Sequence, residues 1–294
     1  MNDVVIGAIG GYQFSQIKNW IYSLNSTSFD GDRIMLCYGC SKELVDQIKD
    51  NGFEVFEITW DGHGQPLSPP NDLVTHTGLV TRENAYRLIH NLRFFHIWQL
   101  LSQFERDGKK YDRVITTDVR DVIFQGNPTE WLDAYQEKPI IAPSESVMYS
   151  DESWNMKNFV DGLGGVTWEY LGKDLLVCNV GTIAGSYDDF KELCFMIYTM
   201  SVGNWVADQS MFNILINTTY KNKTQVVTPN DYWACQTGTL VENYDKLKNV
   251  LLDEPPYMGM DGLVRNSKDD VFCLVHQYER IPEWNEIVEK KYPL

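Results

Sequence analysis

The sequence VVIGAIGG at residues 4–11 begins the part of the chain that decides the fold. It is a short apolar run closed by two glycines, which predicts a buried strand followed by a tight loop. Residues 17–24 then carry apolar side chains at helical spacing, and a second apolar run, RIMLCY, occupies residues 33–38. Ser41 is a typical N-cap for a second helix, and residues 53–58 alternate like a third strand. This β-α-β-α-β order predicts an α/β fold with a mostly parallel central sheet flanked by helices.

The rest of the chain continues the alternation of strands and helices. A Gly- and Pro-rich stretch, 61–80, predicts a long loop, and residues 144–172 predict an aromatic-lined surface loop. The remaining expected strands are residues 114–117, 139–143, 175–181 and 271–276, and the remaining expected helices are 84–104, 188–200 and 207–216. No internal repeat or low-complexity linker interrupts the sequence. We therefore expect one domain spanning residues 1–294.

The composition is that of an acidic protein. Among 294 residues, 41 are Asp or Glu and 25 are Lys or Arg, which gives a formal net charge of −16. Nucleic acids and anionic membrane surfaces attract basic proteins, so neither is an expected partner. No apolar run approaches the roughly 18–20 residues of a membrane span, and the N-terminal sequence lacks the basic region of a signal peptide. We therefore expect a cytoplasmic protein without a membrane span.

The cysteines do not suggest a metal or disulfide framework. Six are present, at positions 37, 40, 178, 194, 235 and 273. Only Cys37 and Cys40 have a CxxC spacing, and no second pair matches them. A zinc site usually needs two such pairs, or one pair with nearby histidines. We expect reduced, mostly buried thiols.

The strongest chemical signal is the sequence DVRD at residues 118–121, directly after the strand predicted at 114–117. Open parallel sheets bind ligands at the carboxyl ends of their strands, and hard carboxylate oxygens suit Mg²⁺ or Mn²⁺. His276, at the end of the last predicted strand, offers an imidazole as a third ligand. For each feature alone, the competing interpretations are a solvated loop with an Asp–Arg ion pair and a surface histidine.

Two other segments place polar groups next to apolar elements. The sequence CNVGTI at residues 178–183 is a strand followed by a glycine turn, and Asp208 and Gln209 begin an otherwise apolar helix. Taken alone, the first is equally consistent with a plain β-turn, and the second with Asp208 as a helix N-cap. Their order along the chain, after the DVRD motif and before the late histidine, makes them informative.

In this order the motifs resemble those of nucleotide-sugar glycosyltransferases of the GT-A fold. The closest similarity is to the retaining enzymes of glycosyltransferase family 8 and their relatives. The longer stretch DVRDVIFQGNP at residues 118–128 is also similar to a DxRDVxFQxxP pattern in less characterised GT-A relatives. The resemblance implies a single GT-A domain with a Rossmann-like sheet. It also implies a nucleotide-binding half at residues 1–125 and an acceptor-binding half at residues 126–294.

The resemblance implies a divalent metal site. Its ligands would be Asp118, Asp121 and His276, and its ion Mn²⁺ or Mg²⁺. The family usually has Asp-x-Asp, whereas this sequence has Asp-x-x-Asp. Asp121 aligns best with the second aspartate, which is the direct metal ligand, and Asp118 takes the place of the first with one residue inserted. Whether Asp118 would meet the metal or the donor's ribose is left open by this departure.

The resemblance also implies how a UDP-sugar would bind. The loop after the first strand would receive uridine, and Tyr12 could stack on the base. Arg93 would contact the donor phosphate or sugar, and the Asn-x-Gly segment would contact the donor sugar. The expected donor-binding residues are Ala8, Ile9, Gly10, Tyr12, Arg93, Asp118, Asn179 and Gly181.

The catalytic candidates implied by the resemblance are Asp208 and Gln209. In the retaining enzymes this pair faces the anomeric carbon, where it would stabilise positive charge or act as nucleophile. In an inverting enzyme a carboxylate must instead deprotonate the acceptor hydroxyl, and Asp208 also suits that role. The sequence leaves the stereochemistry open.

The acceptor would be a glycan, a saccharide or another molecule with a free hydroxyl. Its expected wall is the aromatic loop, with Trp154, Phe159 and Trp168, because C–H faces of sugars pack on aromatic rings. The segments 231–233 and 261–262 are further candidates for the acceptor side. Ordinary loop packing is the alternative for all of them.

Two other functions compete with sugar transfer. A sugar-nucleotide pyrophosphorylase would need a basic residue in a glycine-rich loop after the first strand, and residues 10–13, GGYQ, lack one. A catalytically inactive carbohydrate-binding or scaffold protein would be free to lose Asp121, Asp208 and His276, and all three are present. Metal-dependent release of UDP would separate the enzyme from the binding protein.

Overall fold

The computed structural model describes residues 2–60, 66–67, 82–201, 208–239 and 254–294. Most of the loop expected at residues 61–80 lies outside the described residues. In the described ranges, strands and helices alternate along the chain. No helix in these ranges is both long and apolar enough to cross a membrane.

The described strands and helices are bounded as follows. The strands are β1 (Asp3–Gly10), β2 (Asp32–Tyr38), β3 (Glu54–Trp60), β4 (Pro66–Leu67), β5 (Arg113–Thr117), β6 (Val122–Phe124), β7 (Ile140–Met148), β8 (Leu176–Cys178), β9 (Thr182–Ser186), β10 (Thr224–Val227), β11 (Ala234–Gln236), β12 (Tyr257–Met258), β13 (Val264–Arg265) and β14 (Leu274–His276). The helices are α1 (Phe14–Asn25), α2 (Lys42–Asp50), α3 (Arg82–Arg106), α4 (Pro128–Tyr135), α5 (Ser153–Thr167), α6 (Tyr187–Ser201), α7 (Asp208–Asn217) and α8 (Pro282–Lys291).

A central sheet forms the middle layer of the fold. Its order is β10-β7-β9-β5-β1-β2-β3-β4, with β8 paired to β7. The central strands β3, β2, β1 and β5 are parallel to one another, whereas β9 pairs antiparallel with both β5 and β7. The predicted fold class, α/β with a mostly parallel central sheet flanked by helices, is confirmed.

Both faces of this sheet are buried, because alternate side chains of a strand point to opposite faces. In β1, Val4 and Ile6 pack in the cluster that also holds apolar residues of α3, α6 and α7. Val5 and Ile9, one residue out of phase, pack with apolar residues of α1 and α2. Helices therefore cover both faces, and the edge formed by the carboxyl ends of the parallel strands is left to carry polar side chains.

A second, smaller sheet lies beside this edge. Its order is β11-β14-β6. The antiparallel register of β14 with β6 pairs His276 with Val122, which directly follows Asp121. The parallel register of β11 with β14 pairs Gln236 with the same histidine. Backbone pairing thus places residues from three distant parts of the chain side by side.

The segment 144–172 is not a loop, so that prediction was wrong. Residues 140–148 form a strand, α5 follows, and a π-helical turn covers Trp168–Gly172. Polar residues such as Ser144, Glu145 and Ser146 made this strand look like a loop, although all three are buried. The Ser144 hydroxyl oxygen accepts a hydrogen bond from the Ser146 amide, and the register of β7 with β8 shifts between Ser144 and Met148, which no hydrophobic pattern reveals.

Candidate functional site

Two adjoining cavities open at the carboxyl ends of β1 and β5. The smaller, of about 180 Å³, is lined by the end of β1 and the loop after it, by α3 and by residues 118–121. The larger, of about 480 Å³, adds residues from β7, the turn after β8, α5, α7 and the end of β14. Arg93, Asp118 and Asp121 line both cavities and therefore stand at their junction. This is the sheet edge at which open α/β folds bind ligands.

The junction holds a cluster that could bind a metal ion. One ligand atom from each of Asp118, Asp121 and His276 lies within 4.8 Å of the others. The imidazole Nε2 of His276 is 3.5 Å from Oδ2 of Asp118 and 3.7 Å from Oδ1 of Asp121. With bonds of about 2.1 Å to a small divalent ion, atoms at these separations can share one ion. Two carboxylates and one imidazole form a donor set that suits Mn²⁺.

The tautomer of His276 supports this assignment. Its Nδ1 is 2.7 Å from Oε1 of Gln236, whose own Nε2 donates a hydrogen bond to the Thr182 hydroxyl. With the amide oxygen of Gln236 facing the ring, Nδ1 carries the proton, and in the neutral imidazole Nε2 presents a lone pair. This Nε2 is buried and has no hydrogen-bond partner among the described residues. An orphaned imidazole nitrogen facing two carboxylates fits a metal ligand.

The neighbouring carboxylates raise the pKa of His276. Burial alone lowers the pKa of His276, but the Asp121 and Asp118 carboxylates more than offset this effect, so its pKa is raised. A proton and a divalent cation therefore compete for the same nitrogen between the carboxylates.

Gln236→Ala is expected to weaken Mn²⁺ binding by about 10–100-fold, because the amide that orients a metal-binding imidazole is lost. The affinity would be measured by titrating Mn²⁺ and following free ion by electron paramagnetic resonance. Gln103→Ala, in an exposed hydrogen bond to Asp107, is the matched control and should bind Mn²⁺ as the wild type does. Unchanged affinity in Gln236→Ala would contradict the assigned role.

The turn Asn179–Gly181 closes one side of the cluster. The Gly181 carbonyl accepts a 2.7 Å hydrogen bond from the Asp118 amide, and the Gly181 amide donates to Oδ1 of Asn179. A Cβ at position 181 would lie 2.6 Å from Cε1 of His276 and 2.7 Å from Oδ2 of Asp118. Glycine is therefore required there because any side chain would occupy the space between the candidate metal ligands.

Arg93 bridges two of the predicted site carboxylates. Its guanidinium forms an ion pair with Asp118 and lies 3.4 Å from Oδ2 of Asp208. Burial alone would lower the pKa of Arg93, but these two carboxylates raise it, so the guanidinium stays charged. Burial raises the pKa of Asp118, but Arg93 and His276 lower it by more. The net pKa of Asp118 therefore falls well below its usual range. This ion pair joins Asp118 to α3.

Asp208 and Gln209 both line the larger cavity, at the start of α7. The amide of Gln209 is fully engaged: its Nε2 donates to Glu145 and to Oδ1 of Asn155, and its Oε1 accepts from the Val180 amide. Gln209 is consequently part of the cavity's framework, whereas Asp208 is held through Arg93.

Glu145 is a site residue that the sequence reasoning missed. It lies in β7, is 6% exposed and lines the larger cavity. Its Oε1 accepts hydrogen bonds from Asn179 Nδ2 at 2.7 Å and Gln209 Nε2 at 3.0 Å. A glutamate flanked by two serines in a presumed loop carries no sequence signal for a buried strand. The nearest available signal was the apolar run at residues 140–142 that precedes it.

Of the residues expected to bind the donor at this end of the chain, Ala8, Ile9 and Gly10 belong to the end of β1, and Tyr12 belongs to the loop that follows. Ala8, Gly10 and Tyr12 line the smaller cavity beside Arg93. The Ile9 side chain instead points into the core shared with α1 and α2 and is fully buried. The strand alternation puts it on the opposite face, so only its backbone could approach a ligand.

The predicted acceptor wall is only partly present. Trp154 lines the larger cavity and is 58% exposed. Phe159 is fully buried and packs edge-on against Trp168, with ring centroids 5.7 Å apart. Phe159 therefore belongs to the core beneath α5. Neither Phe159 nor Trp168 lines the cavity described here.

The other segments expected on the acceptor side have structural contacts. Asp231 accepts hydrogen bonds from the Thr228 backbone and hydroxyl. Trp233 is fully buried, and Asp261 forms an ion pair with Arg265. Neither segment lines the larger cavity. All six cysteines are free, and four of them are buried, as expected.

Comparison with known proteins adds little to this geometry. No protein-family model and no curated protein sequence match the chain. A similar solved structure is the crystal structure of the galactosyltransferase LgtC in complex with donor and acceptor sugar analogs. It is 12% identical, covers 98% of this chain and 95% of that one, and aligns with a TM-score of 0.48. At these values the similarity establishes neither family nor activity, so membership of the GT-A glycosyltransferases stays a prediction.

Proposed function

We propose that this protein is a metal-dependent glycosyltransferase that moves a sugar from a nucleoside diphosphate sugar, with a UDP-sugar as the expected donor, to a hydroxyl acceptor. One observation carries the proposal: the unpartnered Nε2 of His276 faces Asp118 and Asp121 at the junction of the two cavities. A cation site between two cavities suits a diphosphate that joins a nucleoside to a sugar.

The residues that would hold Mn²⁺ or Mg²⁺ are Asp118, Asp121 and His276. When bound, the ion supplies Lewis acidity that stabilises the charge developing on the departing diphosphate. Asp121 and His276 would contribute ligand atoms directly. Asp118 offers Oδ2 to the same site while its other oxygen is paired with Arg93.

Positive side chains border the site of an otherwise acidic protein. Arg120 lines the smaller cavity and lies 3.2 Å from Glu279, and Arg280 lines the larger one. Guanidinium groups at these positions would bind diphosphate oxygens and orient the leaving group. The smaller cavity, with Tyr12 on its wall, would receive the nucleoside.

The larger cavity would hold the sugar and its acceptor. Asp208 lies beside Arg93 at the junction, next to where the anomeric carbon would be placed. Its carboxylate would stabilise the positive charge of an oxocarbenium-like transition state. The exposed face of Trp154 would pack against an acceptor sugar.

The wild-type protein is expected to release UDP from one donor only when Mn²⁺ is present. The measurement is nucleotide release from a panel of UDP- and GDP-sugars, with Mn²⁺ or with EDTA, alongside calorimetry with UDP. Binding of UDP without release would favour the inactive carbohydrate-binding alternative. Neither binding nor release from any donor would overturn the proposed function.

A further inference from the structure

Glu145 is a buried carboxylate whose role the proposed function leaves unexplained. Its Oε1 accepts two short amide hydrogen bonds, while Oε2 accepts one longer bond, 3.3 Å, from Asn155 Nδ2. All of these partners are neutral amides. Among the described residues no ion pair reaches Glu145, although burying a carboxylate without a cation is costly.

The orientation of each side-chain amide around Glu145 is fixed by a hydrogen bond that its oxygen accepts. Gln209 uses both ends of its amide, Asn155 accepts from Gln209 through Oδ1, and Asn179 accepts from the Gly181 amide through Oδ1. The Glu145 carboxylate keeps an open acceptor position, because a carboxylate oxygen has two acceptor positions and Oε2 has used one. The remaining acceptor position suits a hydrogen bond from the hydroxyl of a ligand in the cavity that Glu145 lines.

The other carboxylates that line the larger cavity have different partners. Asp118 and Asp121 face His276, and Asp208 lies against Arg93. Glu152 caps α5, since both of its oxygens accept backbone amide hydrogens. Within the described residues, Glu145 is thus the cavity carboxylate that is held neither by a cation nor by a helix end.

We infer that Glu145 binds the attacking hydroxyl and takes its proton; this inference rests on the proposed function. The hydroxyl proton passes to a Glu145 oxygen as the hydroxyl oxygen bonds to the anomeric carbon. The bond from that carbon to the diphosphate oxygen breaks, and its electron pair stays on the diphosphate. Gln209 and Asn155 are positioning residues that keep the carboxylate aimed into the cavity.

The surroundings of Glu145 favour a proton acceptor. Burial raises its pKa, which amide hydrogen bonds from Asn179 and Gln209 only partly offset. The titratable groups that face it from packed elements are Glu152 before α5, His276 on β14, Cys178 on β8 and Tyr149 after β7. A carboxyl with a raised pKa is a stronger base than an exposed one. Because it must be ionised, turnover falls as pH drops through that pKa.

The test is turnover of UDP-glucose and UDP-galactose, with water as the acceptor, at saturating Mn²⁺. Glu145→Gln is expected to lower kcat by about 10²-fold and to lack the acid limb of the wild-type pH profile, while binding Mn²⁺ and UDP as the wild type does. Glu145→Ala is expected to regain turnover in sodium formate, because a small carboxylate can enter the vacated space. A positioning role alone would preserve the acid limb and give no rescue.

Asp3→Asn is the matched control, because Asp3 is also a buried carboxylate, at the opposite edge of the sheet beside Arg113. It should keep wild-type turnover. Turnover of Glu145→Gln within threefold of wild type, or an acid limb that persists in it, would overturn the inference. Failure of the proposed function looks different, because the wild type itself would then neither bind UDP with Mn²⁺ nor release it.

Discussion

Asp121→Asn is expected to lower Mn²⁺-dependent release of UDP from the donor sugar by about 10³-fold. The change removes a negatively charged ligand and leaves the fold intact, because the Asp121 carbonyl still accepts the 2.6 Å hydrogen bond from the Gln277 amide. Loss of a catalytic cation removes several kcal/mol of transition-state stabilisation, and each 1.36 kcal/mol is tenfold in rate. Initial rates over a range of Mn²⁺ concentrations would measure the effect.

The Mn²⁺ series also shows whether a slow variant has lost a metal ligand or is slow for another reason. A lost ligand raises the Mn²⁺ concentration that half-saturates the enzyme. Asp188→Asn is the control, since Asp188 is an exposed aspartate that pairs with Lys110 and lies outside the two cavities. If Asp121→Asn and Asp188→Asn both turned over at wild-type rate, the metal assignment would be wrong.

Arg93→Met is expected to lower the free energy of unfolding by about 3–5 kcal/mol, the usual cost of breaking a buried ion pair from one side. The Arg93 side chain is 6% exposed, and its removal takes away the cation that Asp118 and Asp208 share. Methionine keeps much of the volume, so the loss reports mainly on charge. Urea unfolding followed by circular dichroism would give the midpoint and slope.

Two further variants show whether charge is the cause. Asp208→Asn in the Arg93→Met background is expected to restore part of the stability, because one uncompensated carboxylate is removed. Lys110→Met breaks an exposed pair with Asp188, which water and salt screen, so its free energy of unfolding should stay close to that of the wild type. A cost for Arg93→Met as small as that of Lys110→Met would show that the bridge contributes little to folding.

The candidate metal cluster illustrates what motif order can predict. DVRD at a strand end and a histidine at the end of a late strand were each ambiguous alone. Their combination was informative because carboxyl ends of neighbouring strands meet at one edge of a sheet. The structure brings Asp118, Asp121 and His276 together, and it does so through the pairing of β14 with β6. That pairing was not predicted, because β6 has only three residues.

Glu145 illustrates the opposite case. The sequence predicts a loop there because the polar residues break the apolar pattern, and the Glu145 carboxylate is held by amides from three other segments. The Ile9 side chain lies in the core because adjacent strand residues point to opposite faces, a difference that a prediction made for the whole segment does not resolve. The sequence predicts a cavity wall at Phe159, which the structure places in the core. A sequence does not distinguish an aromatic side chain that faces a ligand from one that packs in a core.

By itself, the sequence determined the layers of this protein and the sheet edge that carries its polar residues. Apolar periodicity and strand-end motifs are local properties, so they can be recognised without knowledge of the rest of the chain. Only the tertiary structure decided which groups meet at that edge. Arg93 reaches Asp118 across 25 residues and Asp208 across 115, and Gln236 meets His276 across 40. Contacts over such separations depend on the register and packing of whole elements, which no short stretch of sequence encodes.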